Sequence, residues 1–191
     1  MKVAEKRLKV LITAGGTQVP IDKVRFIGNH ATGNTGMAIT KFFLDKGADI
    51  TLVTANPELV DKAMVQDVRL KVIKFKTFDE LHLAMLHEIS NGGYDVVVHS
   101  AAVSDFMVEG AYIRASTGEF TPVAGEKISS SLPEVYLRFV PTEKLLDKIR
   151  KTWEFKGVLV SFKLERGMQN EELINVAVKS LIHSGANMVV A

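Results

Sequence analysis

Two clusters of glycine lie close to the N-terminus, and glycine-rich turns commonly bind phosphate groups. The first is the pair Gly15 and Gly16, which follows a short apolar run, and the second comprises Gly28, Gly33 and Gly36. A glycine turn exposes backbone N–H groups, and a helix N-terminus after it adds positive potential. The spacing differs from the G-x-G-x-x-G dinucleotide fingerprint, because a long insertion separates the clusters. We therefore predict a nucleotide-binding site, with glycines that only shape turns as the alternative.

Two polar residues stand inside the insertion between these clusters. Arg25 and Asn29 flank a short apolar segment, in what the pattern indicates is a loop. A guanidinium and a side-chain amide donate hydrogen bonds in fixed directions, which suits the orientation of an anionic substrate. Their presence favours a binding site over glycines that serve the backbone alone.

A second candidate group follows the run YDVVVHS at residues 94–100, which predicts a central strand buried on both faces. Ala101, Ala102 and Asp105 come directly after it. Open α/β sheets bind ligands at this carboxyl edge. Small alanines let a substrate approach the backbone, and Asp105 can accept hydrogen bonds from hydroxyl or amide donors. A helix cap or turn is an equally open role for Asp105.

Other polar or aromatic side chains give weaker signals by themselves. Lys127 in a loop is typical of a solvated surface residue, and Phe162 at the end of an apolar strand is typical of a core. The chain has no cysteine, which excludes disulfides, thiolate nucleophiles and cysteine-ligated zinc. Its five histidines form no obvious metal-binding pair. We therefore expect no metal site built by the protein itself.

The elements that must position these residues alternate between strands and helices. Apolar runs predict strands at 9–13, 49–54, 70–75, 94–100, 134–140, 158–162 and 188–191. Helical periodicity predicts a helix from Met37 that stops at Gly47, one from an N-cap at Thr77 to Gly92, and others over 142–152 and 171–183. This alternation predicts an α/β fold with a doubly wound, mainly parallel, Rossmann-like sheet.

Composition and the remaining segment set the domain organisation. Residues 107–131 lack the alternating rhythm and predict a flexible active-site flap. The 191 residues fit one domain, which we place at 1–191.

The 24 basic and 22 acidic residues leave a net charge of +2 without a basic block, which argues against nucleic-acid binding. No run approaches the roughly 18 apolar residues of a membrane span. We expect a soluble, cytoplasmic protein.

Several motifs occur in an order that resembles one enzyme family. They are ITAGGT at 12–17, PIDKVRFIGNHATG at 20–33, AAVSDF at 101–106, EKISS at 126–130, SFKLE at 161–165 and ANMVVA at 186–191. Together they are similar to the phosphopantothenoylcysteine synthetase family, also called phosphopantothenate–cysteine ligase. The resemblance covers nearly the whole chain. Several motifs in the right order are far more specific than any one of them.

The resemblance implies a role for each candidate residue. Lys127 matches the catalytic lysine of the family's flexible loop, and Asn29 would help it to stabilise the activated acyl group. The implied substrate-binding residues are Arg25, Asn29, Ala101, Ala102 and Asp105. The implied nucleotide-binding residues are Gly15, Gly16, Thr17, Ala31, Gly33, Gly36, Asp105, Lys127 and Phe162.

The implied reaction joins 4′-phosphopantothenate to L-cysteine in coenzyme A biosynthesis, through an acyl-nucleotidylate. The nucleoside triphosphate would be CTP or ATP, and Mg²⁺ would arrive with it. Ser129 stands where bacterial members, which more commonly use CTP, often carry a second lysine, and this departure leaves the choice of nucleotide open. The motifs KISSS and SFKLE resemble eukaryotic members, which favours ATP. Family members are dimers, and Arg25 matches an arginine that reaches the partner's phosphopantothenate. We therefore expect a homodimer.

Two other functions fit parts of the pattern. A nicotinamide-dependent reductase on a similar sheet would need an acidic residue at the end of the second strand and a Tyr-x-x-x-Lys pair. The second strand ends in Thr54 and Ala55, and none of the three tyrosines has a lysine four residues later. A non-catalytic nucleotide-binding module would need Lys127 to be dispensable.

The last predicted strand ends the sequence at Ala191. In the resembled family, an asparagine that approaches the nucleotide follows this strand at once. A terminal carboxylate close to a triphosphate opposes its binding through like charge. We therefore expect a form extended past Ala191 to bind nucleotide more tightly.

Overall fold

The computed structural model describes residues 6–123 and 125–191, so residues 1–5 of the predicted domain and residue 124 of the predicted flap lie outside the described residues. The strands are β1 (Lys9–Ala14), β2 (Gln18–Pro20), β3 (Phe26–Gly28), β4 (Asp49–Thr54), β5 (Leu70–Lys74), β6 (Val96–His99), β7 (Phe106–Arg114), β8 (Phe120–Pro122), β9 (Tyr136–Pro141), β10 (Val158–Phe162) and β11 (Met188–Val190). The helices are α1 (Asn34–Asp45), α2 (Lys62–Val65), α3 (Phe78–Asn91), α4 (Leu145–Lys151) and α5 (Asn170–Ser184), and a 3-10 turn covers Pro57–Leu59.

Six of these strands form one parallel sheet in the order β5, β4, β1, β6, β10, β11. The chain builds outwards from β1 to one edge, returns to the centre at β6, and then builds to the other edge. The order of strands therefore reverses between β1 and β6, and open sheets bind ligands outside the carboxyl ends of the strands at such a point. The predicted doubly wound, mainly parallel sheet is confirmed.

Helices cover both faces of this sheet. On one face, Leu11, Val97 and Leu159 pack with apolar residues of α3 and α4 into a buried cluster. On the other face, Ile12 and Val98 pack with residues of α1 and the segment after β4. The central strands are apolar on both sides because neither face of β1 meets solvent.

Two smaller antiparallel units lie outside the main sheet. Strands β2 and β3 form a hairpin around Arg25, in a segment that the sequence predicted as a loop. Strands β8, β7 and β9 form a three-stranded sheet. The sequence predicted no strand in residues 107–131, where the structure has most of β7 and all of β8. An irregularity between Val108 and Gly110 breaks the alternation that marks a strand. The mobility of the flap stays a prediction.

Helix boundaries follow their capping groups. Thr77 accepts from the N–H of Glu80, and the Glu80 carboxylate accepts from the N–H of Thr77, which completes the predicted cap of α3. Helix α4 begins at Leu145, three residues later than predicted, because Thr142 bonds instead to the loop after β6.

Within the described ranges, no helix has the length and apolarity that a membrane crossing requires.

Candidate active site

Hydrogen bonds join the carboxyl end of β1 to the loop after β6. Ala102 donates its N–H to the Gly15 carbonyl oxygen at 2.8 Å, and Thr17 donates its N–H to the Ala102 carbonyl oxygen at 3.1 Å. The side-chain Nδ2 of Asn29 donates to that same oxygen at 3.0 Å. The glycine turn, the insertion and the alanine pair therefore meet where the strand order reverses.

Small residues let α1 approach this edge closely. Gly33 precedes α1 with a φ of +89°, and a Cβ on it would lie 2.9 Å from the Gly15 nitrogen. A Cβ on Gly36 would lie 2.5 Å from the Cβ of Ala14. Gly33 is the N-cap of α1 and has no side chain to bond the N–H groups of the first turn. The N–H of Asn34 makes a long hydrogen bond to the Thr32 hydroxyl oxygen at 3.4 Å, whereas the N–H groups of Thr35 and Gly36 and the positive end of the helix are available to an anion.

A cleft of about 580 Å³ opens at this edge, a volume that suits a small-molecule ligand. Its wall includes five residues that the sequence indicated, namely Ala31, Ala101, Ala102, Asp105 and Phe162. It also includes polar residues that sequence reasoning missed, from the ends of β6 and β10, the start of α4 and one face of α5. These are His99, Ser100, Glu143, Lys144, Asp147, Ser161, Ser180, His183 and Ser184.

Asp105 forms an ion pair across the mouth of the cleft. Its carboxylate accepts from the ammonium of Lys144, and both side chains are more than half exposed. Thr142 fixes the two segments, because its hydroxyl donates to the Ser104 carbonyl oxygen at 2.6 Å and its N–H donates to the Asp105 carbonyl oxygen at 2.9 Å. The pair therefore supplies both an acceptor and a cation to a ligand in the cleft.

A buried histidine lies beneath the alanine pair. The Thr13 hydroxyl oxygen accepts from the Ala101 N–H at 3.1 Å and lies 2.9 Å from Nδ1 of His99. If the Thr13 hydroxyl donates to Nδ1, the hydrogen of the neutral ring is on Nε2. Burial lowers the pKa of His99 to about 4, so the ring is neutral at neutral pH. Ser161, which pairs with His99 in the sheet, has a buried hydroxyl without a partner among the described residues.

Arg25 contacts the segment that carries Lys127, but neither residue belongs to the wall of the cleft. Arg25 donates to the Asp22 carboxylate through Nε at 3.0 Å and Nη2 at 2.5 Å, and Nη2 also donates to the Ile128 carbonyl oxygen at 2.8 Å. The Arg25 side chain, with help from backbone N–H groups, holds the pKa of Asp22 well below its usual range. Lys127 is exposed next to the buried Ile128.

Some of the missed residues had usable signals in the sequence. Asp22 precedes Arg25 by three residues, a spacing that allows an acidic turn residue to bond the guanidinium. Lys144 gave no such signal, because it lies inside the predicted helix 142–152 and the strand before it, β9, belongs to the smaller sheet. His99 and Ser161 gave no such signal, because single polar residues inside apolar strands do not reveal which neighbours they meet.

A metal site built by the protein would need a cluster of ligand side chains. In ranges 6–123 and 125–191, no three His, Asp or Glu side chains are grouped so that they could hold an ion. The arrangement instead offers backbone N–H groups, a helix N-terminus, one exposed ion pair and nearby cations. These groups fit an anionic, phosphate-bearing ligand.

Comparison with known proteins identifies relatives of the whole chain. A sequence model of the DNA/pantothenate metabolism flavoprotein C-terminal domain matches residues 5–191. The coenzyme A biosynthesis bifunctional protein CoaBC of Thermococcus kodakarensis is 36% identical over 96% of this chain. This chain spans 40% of the length of that relative.

Two solved structures share the fold. The DNA/pantothenate metabolism flavoprotein of Streptococcus pneumoniae has a TM-score of 0.78 and 27% identity, over 96% of this chain and 80% of that one. A Cab2 variant in complex with phosphopantothenate-cysteine has a TM-score of 0.69 and 21% identity, over 95% of this chain and 71% of that one. The family resemblance of the sequence motifs is confirmed, and the chain belongs to the family of the DNA/pantothenate metabolism flavoprotein C-terminal domain.

Proposed function

We propose that this chain is a ligase that joins 4′-phosphopantothenate and L-cysteine to give 4′-phosphopantothenoylcysteine in coenzyme A biosynthesis. The observation that carries the proposal is that Asp105 and the alanine pair line one cleft, beside a glycine turn and a helix N-terminus, and that the Asn29 amide bonds to one of these alanines. The name of the Thermococcus relative and the ligand of the Cab2 variant support the substrates. The reducing cytoplasm, where we propose that the enzyme acts, suits a chain without cysteine.

The first half-reaction activates the carboxylate of phosphopantothenate. A carboxylate oxygen attacks the α-phosphorus of the nucleoside triphosphate, and pyrophosphate leaves. The N–H groups of Gly15, Gly16 and the first turn of α1 hold the phosphates. Thr17 is buried and its N–H bonds to the Ala102 carbonyl oxygen, so its part is to fix the glycine turn. Mg²⁺ arrives with the triphosphate and reduces the repulsion between the two anions. Phe162 lies in the cleft wall, where its ring can pack beside the nucleobase.

The second half-reaction makes the amide. The amine of L-cysteine attacks the acyl carbon, and the nucleoside monophosphate leaves with the oxygen that came from the carboxylate. The proton that the amine loses passes to solvent. The ammonium of Lys127 and the amide of Asn29 stabilise the negative charge that develops on the acyl oxygen. No covalent enzyme intermediate is needed, which fits a chain without cysteine.

We also propose a homodimer in which Arg25 serves the phosphopantothenate site of the partner. The hairpin around Arg25 supports this, because Val24, Phe26 and Ile27 expose 63%, 55% and 42% of their surfaces. Apolar side chains grouped at one place on a surface are typical of an interface. Nη1 of Arg25 donates no hydrogen bond to any of the described residues, so its N–H groups are available to a phosphate oxygen.

The test is to incubate the protein with 4′-phosphopantothenate, L-cysteine, Mg²⁺ and either CTP or ATP. We expect pyrophosphate and nucleoside monophosphate in equal amounts with the amide product, and the faster nucleotide identifies the co-substrate. Omission of cysteine should stop amide formation but still allow pyrophosphate release in one turnover. A protein that binds a triphosphate and never turns it over would instead be a binding module. Hydride transfer from a nicotinamide would support the reductase.

A further inference from the structure

Asp22 is the centre of a hydrogen-bond cluster that joins two distant parts of the chain. Its Oδ1 accepts from the N–H groups of Val24 and Arg25 at 2.8 and 2.7 Å, which closes the turn of the β2–β3 hairpin. Its Oδ2 accepts from the Arg25 guanidinium and from the N–H of Ile128 at 3.1 Å. The side chain is 4% exposed. One oxygen thus serves its own turn, and the other bonds to a segment more than 100 residues away.

Further contacts hold the residues on both sides of Lys127. Arg25 donates to the Ile128 carbonyl oxygen at 2.8 Å, so both backbone groups of Ile128 are bonded to the hairpin. The N–H of Lys23 donates to the Glu126 carbonyl oxygen at 3.0 Å, and the two side chains form an ion pair. The Ile128 side chain is buried. The backbone on each side of Lys127 is therefore fixed against the hairpin.

The Lys127 side chain differs from its neighbours. It is exposed, and no acceptor for its ammonium occurs among the residues that the structure describes. A lysine with a fixed backbone and an unpaired ammonium group is suited to bind a ligand, because little conformational entropy is lost when the ligand binds. A lysine on a loose segment would lose far more conformational entropy in reaching the same position.

We propose that Asp22 is a positioning residue, which fixes the segment of Lys127 against the hairpin of Arg25 so that both cations act at one site. The proposal rests on the ligase function proposed above. Its physical basis is that electrostatic stabilisation depends on donors held in place before the reaction, and a misplacement of about 1 Å can cost about a hundredfold in rate. Asp22 touches no substrate and acts through Lys127 and Arg25.

The Asp22→Asn variant separates the fixing of the Lys127 segment from the closing of the β2–β3 turn. The amide oxygen of asparagine can take the place of Oδ1 and close the turn, but its NH₂ group would face the N–H of Ile128 and the guanidinium, which are donors. We expect kcat to fall by about tenfold to a hundredfold with a smaller change in KM for the triphosphate. The matched control is Asp61→Asn, because Asp61 closes a similar turn at the start of α2, remote in sequence from both segments. It should keep the wild-type rate.

Two further measurements exclude a merely structural effect. Hydrogen exchange should be faster at residues 126–130 in Asp22→Asn, whereas exchange in the central sheet should not change. Asp22→Asn should also cost less when it is added to Lys127→Ala than when it is added to the wild type, because the part of its effect that acts through that lysine is already gone. Asp22→Ser, whose hydroxyl can still close the turn without a charge or a second donor, gives the same test if the asparagine variant does not fold.

Normal kcat in a folded Asp22→Asn or Asp22→Ser variant would overturn the proposal, as would a full additional loss in the Lys127→Ala background. Unchanged hydrogen exchange at residues 126–130 would by itself overturn the claim that Asp22 holds the segment of Lys127 in place. Wild-type protein that makes no product with either triphosphate would instead overturn the proposed function. In that case the exchange measurement still decides whether Asp22 holds the segment.

Discussion

Arg25 donates from Nη2 to the carbonyl oxygen of Ile128 at 2.8 Å, although 103 residues separate them in the sequence. The hairpin of Arg25 and the segment of Lys127 therefore form one corner of the same subunit. A phosphate held by Arg25 would lie close to the segment that carries Lys127. The two cations are thus expected to serve one site together, whichever subunit provides the cleft.

Replacement of Lys127 tests the catalytic charge. Lys127→Ala should lower kcat by about a hundredfold or more, because the developing oxyanion loses the cation proposed to stabilise it. The melting temperature should stay near the wild-type value, since the side chain is exposed and makes no contact that the fold needs. Lys156→Ala, at another exposed lysine, is the matched control and should be fully active. Near-normal turnover of folded Lys127→Ala would remove this residue from the mechanism.

Replacement of Asn29 is a second test of how the enzyme stabilises the negative charge on the acyl group. In Asn29→Asp the donor to the Ala102 carbonyl oxygen is lost, and a carboxylate faces both that oxygen and the substrate anion. Formation or use of the acyl-nucleotidylate should slow by at least about tenfold, and quenched-flow sampling would measure both steps. Asn91→Asp, which removes a donor to a carbonyl oxygen at the end of α3, should have no such effect. Normal build-up and decay of the intermediate would contradict the role of Asn29.

His99 predicts how stability depends on pH. Burial lowers its folded pKa to about 4 from an ordinary 6.5, so the unfolded chain binds an extra proton between these values. Stability from this residue is therefore complete above pH 6.5 and falls as the pH falls towards 4. From neutral pH to about pH 4.5 this amounts to about 2 kcal/mol.

The measurement is the free energy of unfolding by urea at both pH values. His99→Asn keeps an acceptor for the Thr13 hydroxyl but cannot be protonated in this range. It should lose about 2 kcal/mol less than wild type between the two pH values, even if it is less stable overall. The same loss in both proteins would show that His99 does not titrate on unfolding as proposed.

Mixed dimers test which subunit Arg25 serves. If Arg25 acts in the partner's cleft, an exchanged mixture of Arg25→Ala and Asp105→Asn subunits contains one intact site per heterodimer. Activity should then recover well above that of either variant alone. A mixture of Arg25→Ala and Lys127→Ala subunits is the control and should stay inactive, because these residues are fixed together in one chain. Failure to recover in the first mixture, with exchange demonstrated, would assign Arg25 to its own subunit.

The main sheet was predictable because its signals are local. Runs such as 49–54 and 158–162 are apolar on both faces, and their bounds agree with β4 and β10. Thr77 caps α3 as the sequence indicated, and Glu80 three residues later completes the cap. The strands of the flap were harder to predict from the sequence. Strand β7 pairs with strands on both sides through an irregular register, and it has no fully buried residue that would mark one face.

The candidate site was predictable where glycine or a motif marked it. Gly33 and Gly36 are needed because a Cβ would collide with the end of β1, a requirement that fixes the residue type. Asp22 and Lys144 were missed because their partners, Ile128 and Asp105, are distant in sequence. Pairing between distant segments depends on the tertiary fold, which periodicity within one window does not encode.

The most direct test of the ligase mechanism follows one oxygen atom. Phosphopantothenate with a heavy oxygen isotope in its carboxylate is incubated with L-cysteine, the preferred triphosphate and Mg²⁺, and the products are analysed by mass spectrometry. We predict that each nucleoside monophosphate carries one labelled oxygen, because that atom bridges the acyl carbon and the α-phosphorus in the intermediate. Amide product with unlabelled monophosphate, or with the label in inorganic phosphate, would contradict an acyl-nucleotidylate.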